Sequence, residues 1–271
     1  MEVNGYKIGP KAVLERAFLP EANLSGANLS RAILIKAQLP DANLTDANLF
    51  HADLSEANLR EVRLSRANLQ GADLSGADLF LADLSGANLQ GANLSRASLY
   101  DVDLRFAKMT LANLQGAYLG EALMSNANLA GAKLQGTDLS MAFLADAVVS
   151  DANLSGANLS LTNLENANFQ RANLYGANLY WSNAQNLDLT GADLTYANLV
   201  KVVLRNANLL NATFHNANLS KAILENANLL NAKFYGADLS GADLSGARID
   251  GETLVGANLT GATMPDGTIH D

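Results

Sequence analysis

Every fifth residue from Leu14 to Met264 is apolar, with no insertion or deletion anywhere along that stretch. The 51 positions hold 42 leucines, and Met, Phe, Val, Ile or Ala fill the rest. Two residues upstream, alanine occupies 43 of the 51 positions, and 32 of the 51 intervening positions are Asn or Asp. Each repeat therefore offers two apolar columns to bury and three polar columns to expose. On an α-helix a five-residue step advances the direction by about 500°, so the leucines would spiral around the axis and never form one stripe. On a straight strand the side-chain period is two, so an odd repeat would send alternate leucines to opposite faces. What remains is a chain that turns a corner in every repeat, holds Ala and Leu inward, and stacks its coils through main-chain hydrogen bonds.

The Ala-(Asn/Asp)-Leu-X-X unit, as in Glu21-Ala22-Asn23-Leu24-Ser25 followed by Gly26-Ala27-Asn28-Leu29-Ser30, resembles the pentapeptide repeat proteins over about nine tenths of the chain. The resemblance implies an all-β fold, a right-handed quadrilateral β-helix in which four repeats make a twenty-residue coil, so that residues twenty apart stack. On that basis the 51 repeats give an uninterrupted pentapeptide repeat solenoid of about thirteen coils. The expected organisation is an N-terminal cap over 1–11, the solenoid over 12–264 and a C-terminal turn and tail over 265–271. Tyr6 and Ile8 form the expected apolar lid at one end. At the other, Met264-Pro265-Asp266-Gly267 signals a turn that folds Ile269 back over the last coil. This closing segment resembles the endings of cyanobacterial members of the family, including a regulator of heterocyst differentiation.

Departures inside the repeat read as packing. Ala184 replaces a central leucine where Leu187 replaces an inward alanine, so volume lost at one site returns beside it. Phe214 and Phe234, twenty apart, are expected to stack in the core. Glu252 falls on an inward alanine position, where an unpartnered carboxylate is costly, and predicts a frayed final coil.

Eighteen basic and twenty-seven acidic residues give a formal charge of −9, which disfavours direct binding to nucleic acid or to an anionic membrane. There is no cysteine, hence no disulfide or thiolate chemistry. The first residues lack the basic and apolar regions of a secretory signal, and no apolar run reaches membrane-spanning length. A soluble, cytoplasmic protein is expected.

Only His51, His215 and His270 are present, on different columns, and no His-carboxylate cluster can be assembled from them. Stacked carboxylates such as Asp53 with Asp73 lie outward on a ridged surface without the concavity that catalysis requires. The expectation is no enzyme activity, no catalytic or metal site and no cofactor.

Function is therefore sought on the outward columns. One corner column reads Glu21, Asp41, Glu61, Leu81, Asp101, Glu121, Met141, Leu161, Trp181, Lys201, Lys221 and Gly241. Like charges about 4.8 Å apart repel by roughly 1 kcal/mol in water, so stability alone does not select such a column. The neighbouring column holds Phe80, Tyr100 and Tyr180, with Tyr118 close by, and most outward aromatics are expected on this side. Phe80, Leu81, Tyr100, Tyr118, Met141, Leu161, Tyr180 and Trp181 are the candidate partner surface. Glu21, Asp41, Glu61, Asp101 and Glu121 are the candidate acidic column.

The leading expectation is a non-enzymatic, rigid rod, regulatory or scaffolding, that presents this side to an unidentified protein partner. Self-association through the aromatic side, giving a homodimer, is a further option. The alternative is an acidic DNA mimic that binds a type II topoisomerase (gyrase), as the resemblance to acidic family members implies. Against mimicry, Arg16, Lys36, Arg60 and Arg96 interrupt the acidic field. No loop insertion of the kind found in gyrase-protecting members is present.

Overall fold

The computed structural model describes residues 2–271. The chain forms two compact units, Met1–Asp138 and Leu139–Asp271, each built on the same principle. In the first unit, each Asn/Asp-type position from Val13 to Tyr118 makes a parallel main-chain bridge to the residue twenty further on, as Asn23 does with Asn43 and Asn28 with Asn48. The second unit repeats this from Phe143↔Asn163 to Asn228↔Arg248. Both units are thus β-helical solenoids with four repeats per coil.

The hydrogen bonds explain the sequence of each repeat. The amide of a central leucine donates to the carbonyl nineteen residues ahead, as Leu24 does to Asn43 at 2.7 Å. The following inward alanine donates to the leucine carbonyl three residues back, as Ala27 does to Leu24 at 3.0 Å. This closes a β-turn whose third residue lies at positive φ, +65° at Gly26 and +55° at Glu21, the signature of a type II turn. Pro20 and Pro40 occupy the second turn position, where proline is favoured.

The amide just after a leucine has no main-chain acceptor, and the Asn or Asp before the leucine supplies one. Asn43 Oδ1 accepts from Thr45 N at 3.1 Å, and Asp73 Oδ1 accepts from Ser75 N at 2.9 Å. The amide group also reaches between coils: Asn178 Nδ2 donates to Asn158 Oδ1 at 3.1 Å, and Asn198 Nδ2 to Asn178 Oδ1 at 2.9 Å. Local capping and axial laddering together account for the Asn/Asp preference.

Inside, the central side chains from Leu14 to Leu134 in the first unit and from Leu139 to Leu244 in the second are at most 2 % exposed. Ala184 and Leu187 are both fully buried, as compensation of volume requires. Phe214 and Phe234 stack with ring centroids 4.6 Å apart and planes 3° from parallel. Where Thr or Ser takes an inward alanine slot, its hydroxyl is satisfied by a carbonyl: Thr137 donates to Leu114 O, Thr162 to Leu159 O and Ser182 to Leu179 O.

The ends differ from the interior. Strands β1 (Glu2–Val3) and β2 (Tyr6–Lys7) form a two-stranded antiparallel hairpin. Ile8 is buried, and Tyr6 Oη accepts from Phe18 N at 3.2 Å. Toward the C-terminus the coil is rebuilt rather than frayed. Glu252 points to solvent and Thr253, one residue later, is buried in its place. Asp250 supports the detour, since its carboxylate accepts from Asn231 N at 2.7 Å, from Glu252 N and from Thr253 Oγ1. These bonds, Asn231 N first, hold its carboxyl below the usual carboxylate range. At the tail, Thr263 pairs antiparallel with Ile269. The fold-back is therefore main-chain only: the Ile269 side chain is 61 % exposed and provides no apolar lid. Ile249, Leu254, Leu259 and Met264 are accordingly only half-buried.

Candidate interaction surface

In the first unit, Glu21, Asp41, Glu61, Leu81, Asp101 and Glu121 occupy the turn position on successive coils of one corner, with φ between +55° and +60°. This left-handed region disfavours side chains other than those of Gly, Asn and Asp. Each of the other three corners of this unit relieves the strain with Gly or Asn at three positions: Gly26, Gly86 and Asn126 on one, Gly71, Gly91 and Gly131 on the next, Gly76, Gly116 and Gly136 on the last. The candidate corner has neither Gly nor Asn from Glu21 to Glu121, and of the tolerated types only Asp41 and Asp101. In the second unit the same turn position holds Met141, Leu161, Trp181, Lys201 and Lys221 at φ +54° to +60°, again without Gly or Asn until Gly241.

The corners also differ in how their charges pair. Elsewhere, three stacked corner pairs are opposite in sign and bond, although Lys11 with Arg31 and Arg16 with Lys36 are like-signed. Arg66 Nη2 meets Asp46 Oδ2 at 2.7 Å, Lys36 Nζ meets Glu56 Oε2 at 3.2 Å, and Arg171 Nη2 meets Asp151 Oδ2 at 2.7 Å. These pairs lower the carboxyls of Asp46 and Asp151 through the arginine hydrogen bonds. On the candidate corner the stacked charges have the same sign, and among the described residues Glu21, Asp41, Glu61 and Asp101 form no ion pair. Exposed pairs are individually weak, so the contrast lies in arrangement rather than in energy.

An aromatic ladder runs beside the acidic corner. Phe80 and Tyr100 stack with centroids 6.2 Å apart and planes 11° from parallel. The Arg60 guanidinium carbon lies 4.3 Å from the Phe80 centroid while Nη1 bonds Asp78 Oδ2 at 3.1 Å. The Tyr100 hydroxyl donates to Glu121 Oε1, which raises the Tyr100 hydroxyl above its ordinary range. Leu81, Tyr100 and Tyr118 are 43 %, 41 % and 60 % exposed, and Phe80 is half-buried. Arg60 is thus part of the surface rather than an interruption of it, and its spacing of twenty from Phe80 is the sequence signal for that.

In the second unit, Met141, Leu161 and Trp181 are about half exposed and are linked by main-chain bonds between coils, Met141 N to Ser160 O and Leu161 N to Tyr180 O, both at 2.9 Å. Tyr180 meets Trp181 edge-on at 6.1 Å, and Lys201 Nζ lies 5.0 Å from the Trp181 ring centroid.

The outward aromatics are more dispersed than the column pattern suggests. Tyr175 contacts Tyr196 at 5.5 Å and His215 contacts Tyr235 at 6.4 Å on a different corner of the second unit. Phe106 and Leu111, each 63 % exposed, mark two further corners of the first. Tyr175 and Tyr196 escape a twenty-residue register because they lie 21 apart, on adjoining columns.

A depression of about 730 Å³ on another face of the first unit is lined by Glu56, Ser75, Asn93, Arg96, Asn113 and Gln115 among others. Its single carboxylate, Glu56, is paired with Lys36. No group of three or more His, Asp or Glu side chains among the described residues is placed to hold a metal ion. Among the described residues no helix is long and apolar enough to cross a membrane.

Comparison with known proteins agrees with this architecture. The profile described as pentapeptide repeats matches eight times, over residues 11–46, 42–79, 77–116, 112–151, 142–183, 188–226, 212–251 and 237–266. Among solved structures the chain is similar to HetL, a pentapeptide repeat protein involved in heterocyst differentiation regulation from the cyanobacterium Nostoc sp. strain PCC 7120. Identity is 37 %, covering 79 % of this chain and 91 % of HetL, with a TM-score of 0.29. It is also similar in fold to a trypsin-treated variant of QnrB1, a plasmid-mediated fluoroquinolone resistance protein, at 20 % identity over 72 % of this chain and 90 % of that one, with a TM-score of 0.53. No curated protein matches it. With repeats matched along nearly its whole length, the chain belongs to the pentapeptide repeat family.

Proposed function

We propose that the protein is a non-enzymatic, cytoplasmic interaction scaffold that engages a protein partner through the glycine-poor corner of each unit, in a regulatory role of the kind named for HetL. The observation behind this reading is that Leu81, Met141, Leu161 and Trp181 are large, exposed and held at positive φ. An apolar side chain there is only about half-buried and carries backbone strain, so the fold itself gives little reason to select it. The reading takes the solenoid as right-handed with about thirteen coils, capped by residues 1–11 and closed by 265–271.

The test is affinity capture from native cytoplasm with the wild-type chain beside a Leu161→Glu, Trp181→Glu variant shown by circular dichroism to be folded. A protein retained by the wild type alone supports the scaffold. Identical captures count against this part of the corner.

The unpaired acidic corner of the first unit favours one second reading, a DNA mimic acting on a type II topoisomerase. A gyrase supercoiling assay unaffected by a large excess of the protein would remove it.

A further inference from the structure

We infer that the acidic corner and aromatic ladder of the first unit form a docking site for an extended, polyproline-II segment of a partner protein with Arg or Lys at every third position. This rests on the reading of that corner as a partner surface and names the chemistry of what binds there.

Charge complementarity sets the sign. Glu21, Asp41, Glu61 and Asp101 are exposed and form no ion pair among the described residues, and a cationic segment would satisfy them without any rearrangement of the fold. Spacing sets the conformation. Glu21, Glu61 and Asp101 are forty residues apart in turn, with Asp41 midway between the first two, so every second coil presents a carboxylate at a step of roughly 9.6 Å at the ordinary inter-strand spacing. A polyproline-II helix repeats every three residues and rises about 9.3 Å in doing so. A strand presents one face every 6.6 to 6.8 Å or so, and two turns of α-helix rise about 10.8 Å, so neither keeps register over three carboxylates. The intervening Leu81 and the adjacent Phe80 and Tyr100 offer the apolar contact that the intervening residues of such a segment need, the usual complement of polyproline-II helices.

The experiment is fluorescence anisotropy of fluorescein-labelled peptides with the full chain at low salt. The probe is (Arg-Pro-Pro)4, beside a peptide of identical composition with its four arginines contiguous and an alanine-based helical peptide with arginine at every fourth position. Expected is binding of (Arg-Pro-Pro)4 at least ten-fold tighter than either control, weakened at least ten-fold by Glu61→Gln with Asp101→Asn and about five-fold by Tyr100→Ala. Equal binding of the periodic and contiguous peptides would mean diffuse attraction between charges and would overturn the inference. Preference for the helical peptide, or indifference to Glu61→Gln with Asp101→Asn, would overturn it as well. If the peptides fail while the Leu161→Glu, Trp181→Glu variant still loses a captured protein, the scaffold stands and only this occupant is wrong. If both fail, both readings fall.

Discussion

The Thr253 hydroxyl lies 3.3 Å from the carbonyl of Leu229, twenty-four residues back, and shares its one proton between that carbonyl and the Asp250 carboxylate at 2.9 Å, whereas Thr137 makes the corresponding bond to Leu114 at 3.0 Å, twenty-three back. The one-residue difference measures a register slip in which Thr253 takes the inward slot that the repeat assigns to Glu252. The slip persists through Gly256, whose carbonyl accepts from Gly236 N, and is absorbed before Asn258, which again bridges to Asp238. Exposing a carboxylate and burying a hydroxyl with carbonyl and carboxylate partners avoids a desolvation penalty of several kcal/mol.

Thr253→Val keeps the shape of that slot and removes its bonds to Leu229 and Asp250. Loss of about 1 kcal/mol is expected. Faster hydrogen exchange should appear first at the amides of Asn231 and Gly236, which close onto this coil. Uniform exchange rates along the second unit would show that the slip is not held by Thr253.

Ala184 and Leu187 test compensation directly. Leu187→Ala alone should leave a cavity and cost about 2 to 5 kcal/mol. Ala184→Leu alone should overpack the same layer and cost about 1 to 3 kcal/mol. Together they restore the ordinary repeat, so the double variant should lie within about 1 kcal/mol of the parent. Additive losses in chemical denaturation would contradict the shared volume.

Acid stability follows from carboxyls that the fold holds low. At Asp188 burial acts to raise the carboxyl, but bonds from Thr190 and Gln170, with Asn208 adding, outweigh it and the net shift is downward. Asp103 and Asp243 shift the same way, Asp103 because the Arg105 bonds exceed the cost of burial and Asp243 through Ser245. A carboxyl depressed in the folded state contributes stability above its unfolded pKa of about 3.9, and that contribution is lost as pH falls through the folded value. Stability should therefore be flat with respect to these groups from pH 7 to about 5 and decline below about 4. Asp188→Asn should shallow the decline, and an unchanged acid profile for that variant would remove Asp188 from the account.

The repeat made most of this fold legible because a period of five admits only one way to bury both Ala and Leu. Coil stacking, the Phe214 and Phe234 pair and the volume exchange at Ala184 follow from counting in twenties. Counting fails where the count itself changes, and Glu252 looks inward only if no residue slips. It also gives columns rather than contacts, so Arg60 reads as an isolated charge until its guanidinium is seen on Phe80. The corner strain is hidden in the same way: the sequence places Leu161 in the slot that Gly156 fills one repeat earlier, but only the backbone angle of +60° shows what that placement costs.

That cost gives the sharpest separation of stability from recognition. Leu161 is 47 % exposed and sits at a conformation that disfavours it by about 1 to 2 kcal/mol, while asparagine adopts the same angle with little penalty. Leu161→Asn should therefore raise stability by about 0.5 to 1 kcal/mol once the modest apolar contact with its neighbours is subtracted. Thermal unfolding reads this as an upward shift of a few degrees at most. On the proposed reading the same variant should lose partner binding, since the exposed apolar surface is what a partner would cover. A stabilised variant that no longer captures its partner would establish that the corner is maintained for recognition against the preference of the backbone. A destabilised one would instead make Leu161 a packing element and remove the reason for treating the corner as a surface apart.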